Sequence, residues 1–201
     1  MHGHSYIPTS TFRRSRTMAS GDVSIRPYSE GDMWVLERTL GEPSQMVYLN
    51  GRESPEKIRD RHRKYVALSE DPRTGCMFTI MSGSDVVGNV GYWESGWDGE
   101  EAWETGWFVL PELQGRGIAT AATRLIVQRV AGLRKYRYLY AFPSVDNRPS
   151  NAICRKLGFD LVGETSSEYP PKSGLTLRVN IWRLDLQVAV GQPVSKSSSP
   201  D

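Results

Sequence analysis

The stretch Val109-Leu110-Pro111-Glu112-Leu113-Gln114-Gly115-Arg116-Gly117-Ile118-Ala119-Thr120 carries the plainest chemistry in the sequence. An apolar run ends at a proline, two glycines follow, and a helix-forming segment begins at once. Glycine lets backbone N–H groups approach a ligand closely, and a helix start offers N–H groups without intrahelical partners together with a partial positive charge. This spacing suits an anion, above all a phosphate. A Walker A loop is excluded because no Gly-Lys-Ser/Thr follows, and the dinucleotide fingerprint fails where Thr120 stands in place of its third Gly or Ala. A glycine-rich helix start without a ligand is the alternative reading of these residues taken alone.

The elements that must position this loop can be read around it. Val23 to Arg26 alternates as a short strand, and Ser29-Glu30-Gly31-Asp32 opens a helix to about Leu40. Ser54-Pro55-Glu56-Lys57 opens a second helix to about Leu68, with a Ser cap, Pro at the first position and an acid in the first turn. Met77 to Met81 and Val86 to Trp93 form a hairpin about Ser82-Gly83-Ser84-Asp85. Trp93 to Glu101 reads as an acidic loop and Ala102 to Leu110 as a third strand. Gly117 to Leu133 is strongly helical. A strand over Tyr138 to Phe142, a helix over Ser150 to Leu157 closed by Gly158, and a strand over Leu175 to Leu186 complete the domain. The order predicts a mixed α/β sheet in a single domain.

Gln114, Gly117 and Ala119 fill the Gln/Arg-x-x-Gly-x-Gly/Ala pattern of the acetyl-CoA loop of the GCN5-related N-acetyltransferases (GNAT), which this sequence resembles. Downstream, Asn147-Arg148-Pro149-Ser150-Asn151-Ala152, running on to Leu157-Gly158-Phe159, resembles the second segment of that family. The Ser-Asn-Ala form after Asn147, with Gly106 to Gly117, looks most like the RimJ/RimL branch. The resemblance covers about Ile25 to Leu186 and implies a mostly antiparallel central sheet, splayed at the acetyl-CoA site, with helices on both faces. It also implies acetyl-CoA as cosubstrate and an amine acceptor, either a peptide N-terminus or a small amine, with no metal. A related module that binds acyl-CoA without turnover is the alternative.

The same resemblance assigns roles. Amides from Gln114 through Gly115, Arg116, Gly117, Ile118 and Ala119 to Thr120 would hold the CoA pyrophosphate, with the Arg116 side chain at the rim. The backbone of Phe108 and Val109 would pair with the pantetheine arm like an added strand. Asn147 and Ser150 would hydrogen-bond the pantetheine or the thioester end; a turn residue and a helix cap are their simpler readings. Many family members place a Tyr one turn after this segment to protonate the leaving thiolate. Cys154 stands there, so it is a candidate donor or a buried structural thiol, and Ser150 is the preferred thiolate partner. Glu168 is the first candidate base. Glu104 is the second, on the strand face shared with Gly106 and Phe108.

Trp93, Trp97, Trp103 and Trp107, with Glu94, Asp98, Glu100 and Glu101, could form an aromatic, acidic mouth for a cationic amine, or simply core and solvated turn. His62, among Arg59, Arg61, Arg63 and Lys64, reads as a solvated helix face.

Length and charge agree with one enzyme-sized domain. The 201 residues give room for a single core, and the two cysteines give no disulfide framework. No apolar run is long enough to cross a membrane. The net charge of +2 owes its excess to Arg13, Arg14 and Arg16 in the leader, so the body is near neutral and has no footprint for nucleic acid. We expect a leader over 1–21, being an appended segment, an alternative start at Met18 or a transit-like extension, a domain over 22–190 and a disordered tail over 191–201. A cytoplasmic monomer or homodimer is the expected setting.

Overall fold

Short runs of β-branched and aromatic residues, broken by Gly and Ser turns, set out the strands of one sheet. A computed structural model describes residues 23–49, 51–169 and 174–189; the leader and tail lie outside the described residues. The elements are β1 (Val23–Pro27), α1 (Met33–Leu40), α2 (Pro55–Leu68), β2 (Gly75–Ser82), β3 (Asp85–Trp97) and β4 (Glu100–Val109). They continue as α3 (Ile118–Leu133), β5 (Tyr138–Ala141), α4 (Arg148–Lys156), β6 (Asp160–Glu168), β7 (Thr176–Asp185) and α5 (Leu186–Ala189). The sheet runs β1-β2-β3-β4-β5-β7-β6, with every neighbour antiparallel except β4 and β5.

Alternate residues of the strands feed two cores. Phe78, Ile80, Val90, Tyr92 and Trp103 point to the face covered by α3, where Ile118, Ala122, Ile126 and Val130 recur at helical spacing. Met77 points the other way, to Leu36 and Leu40 of α1 and Ile58 of α2. The helices therefore sit on both faces. Ser54 caps α2 by accepting from the Lys57 N–H at 3.3 Å.

The parallel pair β4 and β5 shapes the site. Pairing is confined to Trp103 with Leu139 and Glu104 with Tyr140, while on its other edge β4 stays paired with β3 as far as Val109. From Thr105 onward the strands diverge and a cleft opens.

Two expectations need correction. The segment Trp93 to Glu101 is not a loop: β3 continues to Trp97 and turns at Asp98 and Gly99, with φ of 53° and 81°, the left-handed pair that a tight hairpin requires. The chain after α4 holds two strands rather than one. β6 was hidden because it is an edge strand exposed on both faces, with a register shift between Leu161 and Gly163, so it shows no clean alternation.

Candidate active site

The cleft encloses about 760 Å³ and is lined from β4, the Gly115 to Thr120 turn, α4, β6, β7 and α2. Its anion end is built by backbone. Gly115 and Gly117 adopt φ of 74° and 77°, and a Cβ placed on either would meet no atom within 4 Å. The left-handed conformation demands glycine, and the space above it is open for a ligand. The first bond of the helix is Ala121 N–H to Gly117 O, so the N–H groups of Ile118, Ala119 and Thr120 precede the intrahelical ladder. A pyrophosphate fits this cradle.

Side chains around the loop are arranged less simply than their spacing suggests. Gln114 donates from Nε2 to the Val109 carbonyl at 3.1 Å and to Gln45 Oε1 at 2.9 Å, bracing the end of β4. Arg116 donates to the Glu112 carbonyl at 2.9 Å and does not line the cleft. Phe108 and Val109 both line it, on the β4 edge that has left β5.

The opposite wall is the start of α4. Asn147 caps this helix through Oδ1, which accepts from the Ser150 N–H at 3.1 Å. The cap is thus Asn147 and not Ser150, which leaves the Ser150 hydroxyl at the cleft surface. Asn151, buried beside it, holds α4 in place. Its Nδ2 donates to the carbonyls of Ser144 and Asn147, and its Oδ1 accepts from Asn180 Nδ2 and Trp182 Nε1, both at 2.7 Å. Cys154 lies one turn on and faces the core, with no exposure; burial pushes its thiol up to about 12. A thiol there does not reach the cleft.

The two candidate bases separate clearly. Glu104 lines the cleft. Burial raises its carboxyl, opposed by hydrogen bonds from Ser95 and Trp93 that favour the carboxylate. The Ser95 hydroxyl donates to Glu104 Oε2 at 2.9 Å. Trp93, opposite Glu104 in register, lays its ring over Gly106, where a Cβ would come within 3.1 Å of it. Glu168 sits at the exposed end of β6, accepts from the Gly174 N–H at 2.5 Å and does not line the cleft.

Trp93 and Trp97 line the mouth, whereas Trp103 is in the core and none of Glu94, Asp98, Glu100 or Glu101 reaches the cleft. Glu94 instead pairs with Lys135. His62 is buried rather than solvated, with Nδ1 at 2.9 Å from the Tyr28 hydroxyl and Nε2 at 2.9 Å from Glu30. On the α2 side of the cleft stands a group that no motif signals. Arg61 of α2 binds Glu53 from Nε, at 3.1 Å, and from Nη2, and the Tyr169 hydroxyl lies 3.3 Å from both residues. Among the described residues no cluster of His, Cys, Asp and Glu could hold a metal ion, and no helix is long and apolar enough to cross a membrane.

A family model described as an acetyltransferase (GNAT) domain matches residues 22–160. No curated protein matches the chain. Among solved structures, the GNAT-family acetyltransferase from Bacillus anthracis superposes with a TM-score of 0.67 at 17% identity, covering 85% of this chain and 98% of that one. RimL, a ribosomal L7/L12 alpha-N-protein acetyltransferase in complex with coenzyme A, gives 0.66 at 19% identity over 82% and 94%. Spermidine N-acetyltransferase from Vibrio cholerae, in complex with CoA and spermine, gives 0.67 at 16% identity over 84% and 98%.

Proposed function

From the premise that this chain belongs to the GNAT acetyltransferase family, we propose that it moves an acetyl group from acetyl-CoA to a primary amine by direct attack on the thioester. The observation that carries this reading is the meeting, in one cleft, of the glycine-rich helix start, the open edge of β4 and the part-buried carboxylate of Glu104. Acetyl-CoA bound there supplies an acetyl group already activated as a thioester.

The remaining work belongs to the residues of the chain. Amides of the Gly115 to Thr120 turn hold the pyrophosphate without needing a lysine. The backbone of Phe108 and Val109 takes the amide-bearing arm as a further strand. Ser150, its hydroxyl freed by the Asn147 cap, gives the departing thiolate a hydrogen bond, and the thiolate takes its proton from solvent.

An attacking amine must be neutral, yet α-amino groups titrate near pH 8 and alkylamines near 10. Glu104 takes that proton, and its raised affinity for a proton narrows the mismatch with the amine. Glu104 is therefore assigned as base over Glu168, whose carboxylate lies outside the cleft. Solved relatives act on a ribosomal-protein N-terminus or on spermidine, and a peptide N-terminus or a small amine is the acceptor class here.

The test is thiol release from acetyl-CoA by the purified protein across a panel of amines. Release that depends on an acceptor supports the reading. Tight CoA binding with no acceptor-dependent release would leave a binding module in its place.

A further inference from the structure

The acceptor half of the cleft is short of negative charge. Among the described residues that line the cleft, Glu104 is the sole carboxylate; Arg61 and Lys156 are the cations. Lys156 comes from α4, the helix that starts at the cofactor wall. Arg61 comes from α2, on the other side, beside the cleft-lining rings of Tyr65 and Tyr169.

The guanidinium of Arg61 is a built group. Glu53, with a side chain 1% exposed and off the cleft surface, grips it through Nε and Nη2. The Tyr169 hydroxyl bonds the same two residues. This pairing orients the guanidinium and offsets its charge in the unliganded protein, and it leaves Nη1 outside the ion pair. A ligand entering the cleft therefore meets the cation, 24% exposed, and not the buried anion behind it. A carboxylate oxygen entering the cleft can take a further charge-assisted hydrogen bond from a guanidinium held in this way.

A polyamine fits this surface poorly. It needs several anions to replace the water around its ammonium groups, and the one carboxylate among the described lining residues is committed to the proton of the attacking amine. A second ammonium would face Arg61 and be repelled.

We infer that the acceptor is an amine that also bears a carboxylate, held by Arg61 while the amine is presented to Glu104. The inference rests on the acetyl-transfer reading and narrows its substrate class. The same chemistry has two sources, a free amino acid or an N-terminal peptide with an acidic side chain.

The test measures kcat/KM for the full chain with acetyl-CoA and matched acceptors. The pairs are phenylalanine with phenylalaninamide, and the C-terminally amidated peptides Ala-Asp-Phe with Ala-Asn-Phe; spermidine is the polycation. We expect the carboxylate-bearing member of at least one pair to be favoured about tenfold or more, as a charge-assisted pair requires, with spermidine the poorest. The pair that responds identifies the source. Removing both charges in the double variant Glu53→Gln, Arg61→Gln should abolish the preference while CoA binding persists. Arg61→Lys keeps Glu53 paired, so it serves where the double variant does not fold, and it should reduce the preference through KM. Equal rates within both pairs, a preference that survives these substitutions, or spermidine as the best acceptor would overturn the inference and leave acetyl transfer intact. No transfer to any amine, with CoA still bound, would overturn the acetyl-transfer reading and this inference with it.

Discussion

The Ser95 hydroxyl donates to the Glu104 carboxylate at 2.9 Å across the β3–β4 hairpin. That bond favours the ionised form of a carboxyl that burial pushes the other way. It lowers the pH at which Glu104, the proposed base, becomes available. We expect kcat/KM to rise with pH through the raised value of Glu104, and Ser95→Ala to move that acid limb to higher pH. A pH–rate profile in which Ser95→Ala leaves the limb in place would remove Glu104 from the role.

Glu104→Gln should lower kcat about 100-fold or more, the usual scale of a lost general base, with CoA affinity unchanged by calorimetry. The same substitution should stabilise the fold. A carboxyl raised above its unfolded value of 4.5 binds more protons folded than unfolded, so stability is lost as pH rises from about 4.5 through the raised value. Above that raised value the ionised, part-buried group is a burden that Gln does not carry. Glu168→Gln should stay within about twofold of the parent in kcat, well short of a general-base loss.

Gly117→Val should weaken CoA binding far more than it weakens the fold. The new Cβ meets no protein atom, so the folding penalty comes mainly from the left-handed φ of 77°, at least about 1–2 kcal/mol and more for a β-branched side chain. The side chain, however, would fill the space in which a phosphate approaches the amides. Unchanged CoA affinity would place the anion elsewhere.

Asp32 ties the start of α1 to β1. Burial pushes its carboxyl up, but the Arg26 guanidinium, at 2.6 and 2.7 Å, and Ser29 outweigh burial and hold it at about 2. Its stabilisation is present above the unfolded value of 3.8 and is lost as pH falls toward about 2. Asp32→Asn should cost about 1–3 kcal/mol at pH 7, reduced from a fully buried pair because Arg26 is partly exposed. Denaturant melts at pH 7 and at pH 2 should show the difference shrinking in acid.

Asn151→Ala leaves Trp182 Nε1 and Asn180 Nδ2 without their acceptor in the interior. We expect a loss of about 2–4 kcal/mol in stability and weaker CoA binding, because Asn151 holds the start of α4, where Asn147 caps the helix and Ser150 faces the cleft. Asn151→Asp restores an acceptor and should recover part of the loss, which a cavity effect alone would not allow.

The sequence made the cofactor side more legible than the acceptor side, for a physical reason. A phosphate cradle is made by backbone, so it needs consecutive residues with special φ at a helix start, and Gly115 and Gly117 declare it. The Asn147 turn is equally local, although its cap role emerges only from the bond to Ser150. The proposed acceptor wall is assembled from distant segments: Arg61 meets Tyr169 across 108 positions of sequence, and no spacing announces such a pair. Glu104 could be placed on its strand face by alternation, but its burial depends on Trp93 and Ser95. Those residues lie in a stretch whose Gly and acidic content reads as loop and which is strand. His62 misled through Arg59, Arg63 and Lys64, which do face solvent while its ring turns inward to Tyr28.

The brevity of the β4–β5 contact has a mechanical consequence. Two residue pairs are all that sew β1 to β4 onto β5, β7 and β6 at that seam, so a ligand strand laid along Thr105 to Val109 would act as a brace as well as a reactant. Saturating CoA should then raise the melting temperature by mass action and slow amide hydrogen exchange on both sides of the seam. The supply of CoA in its surroundings would thereby set how long the folded protein persists, apart from how fast it turns over.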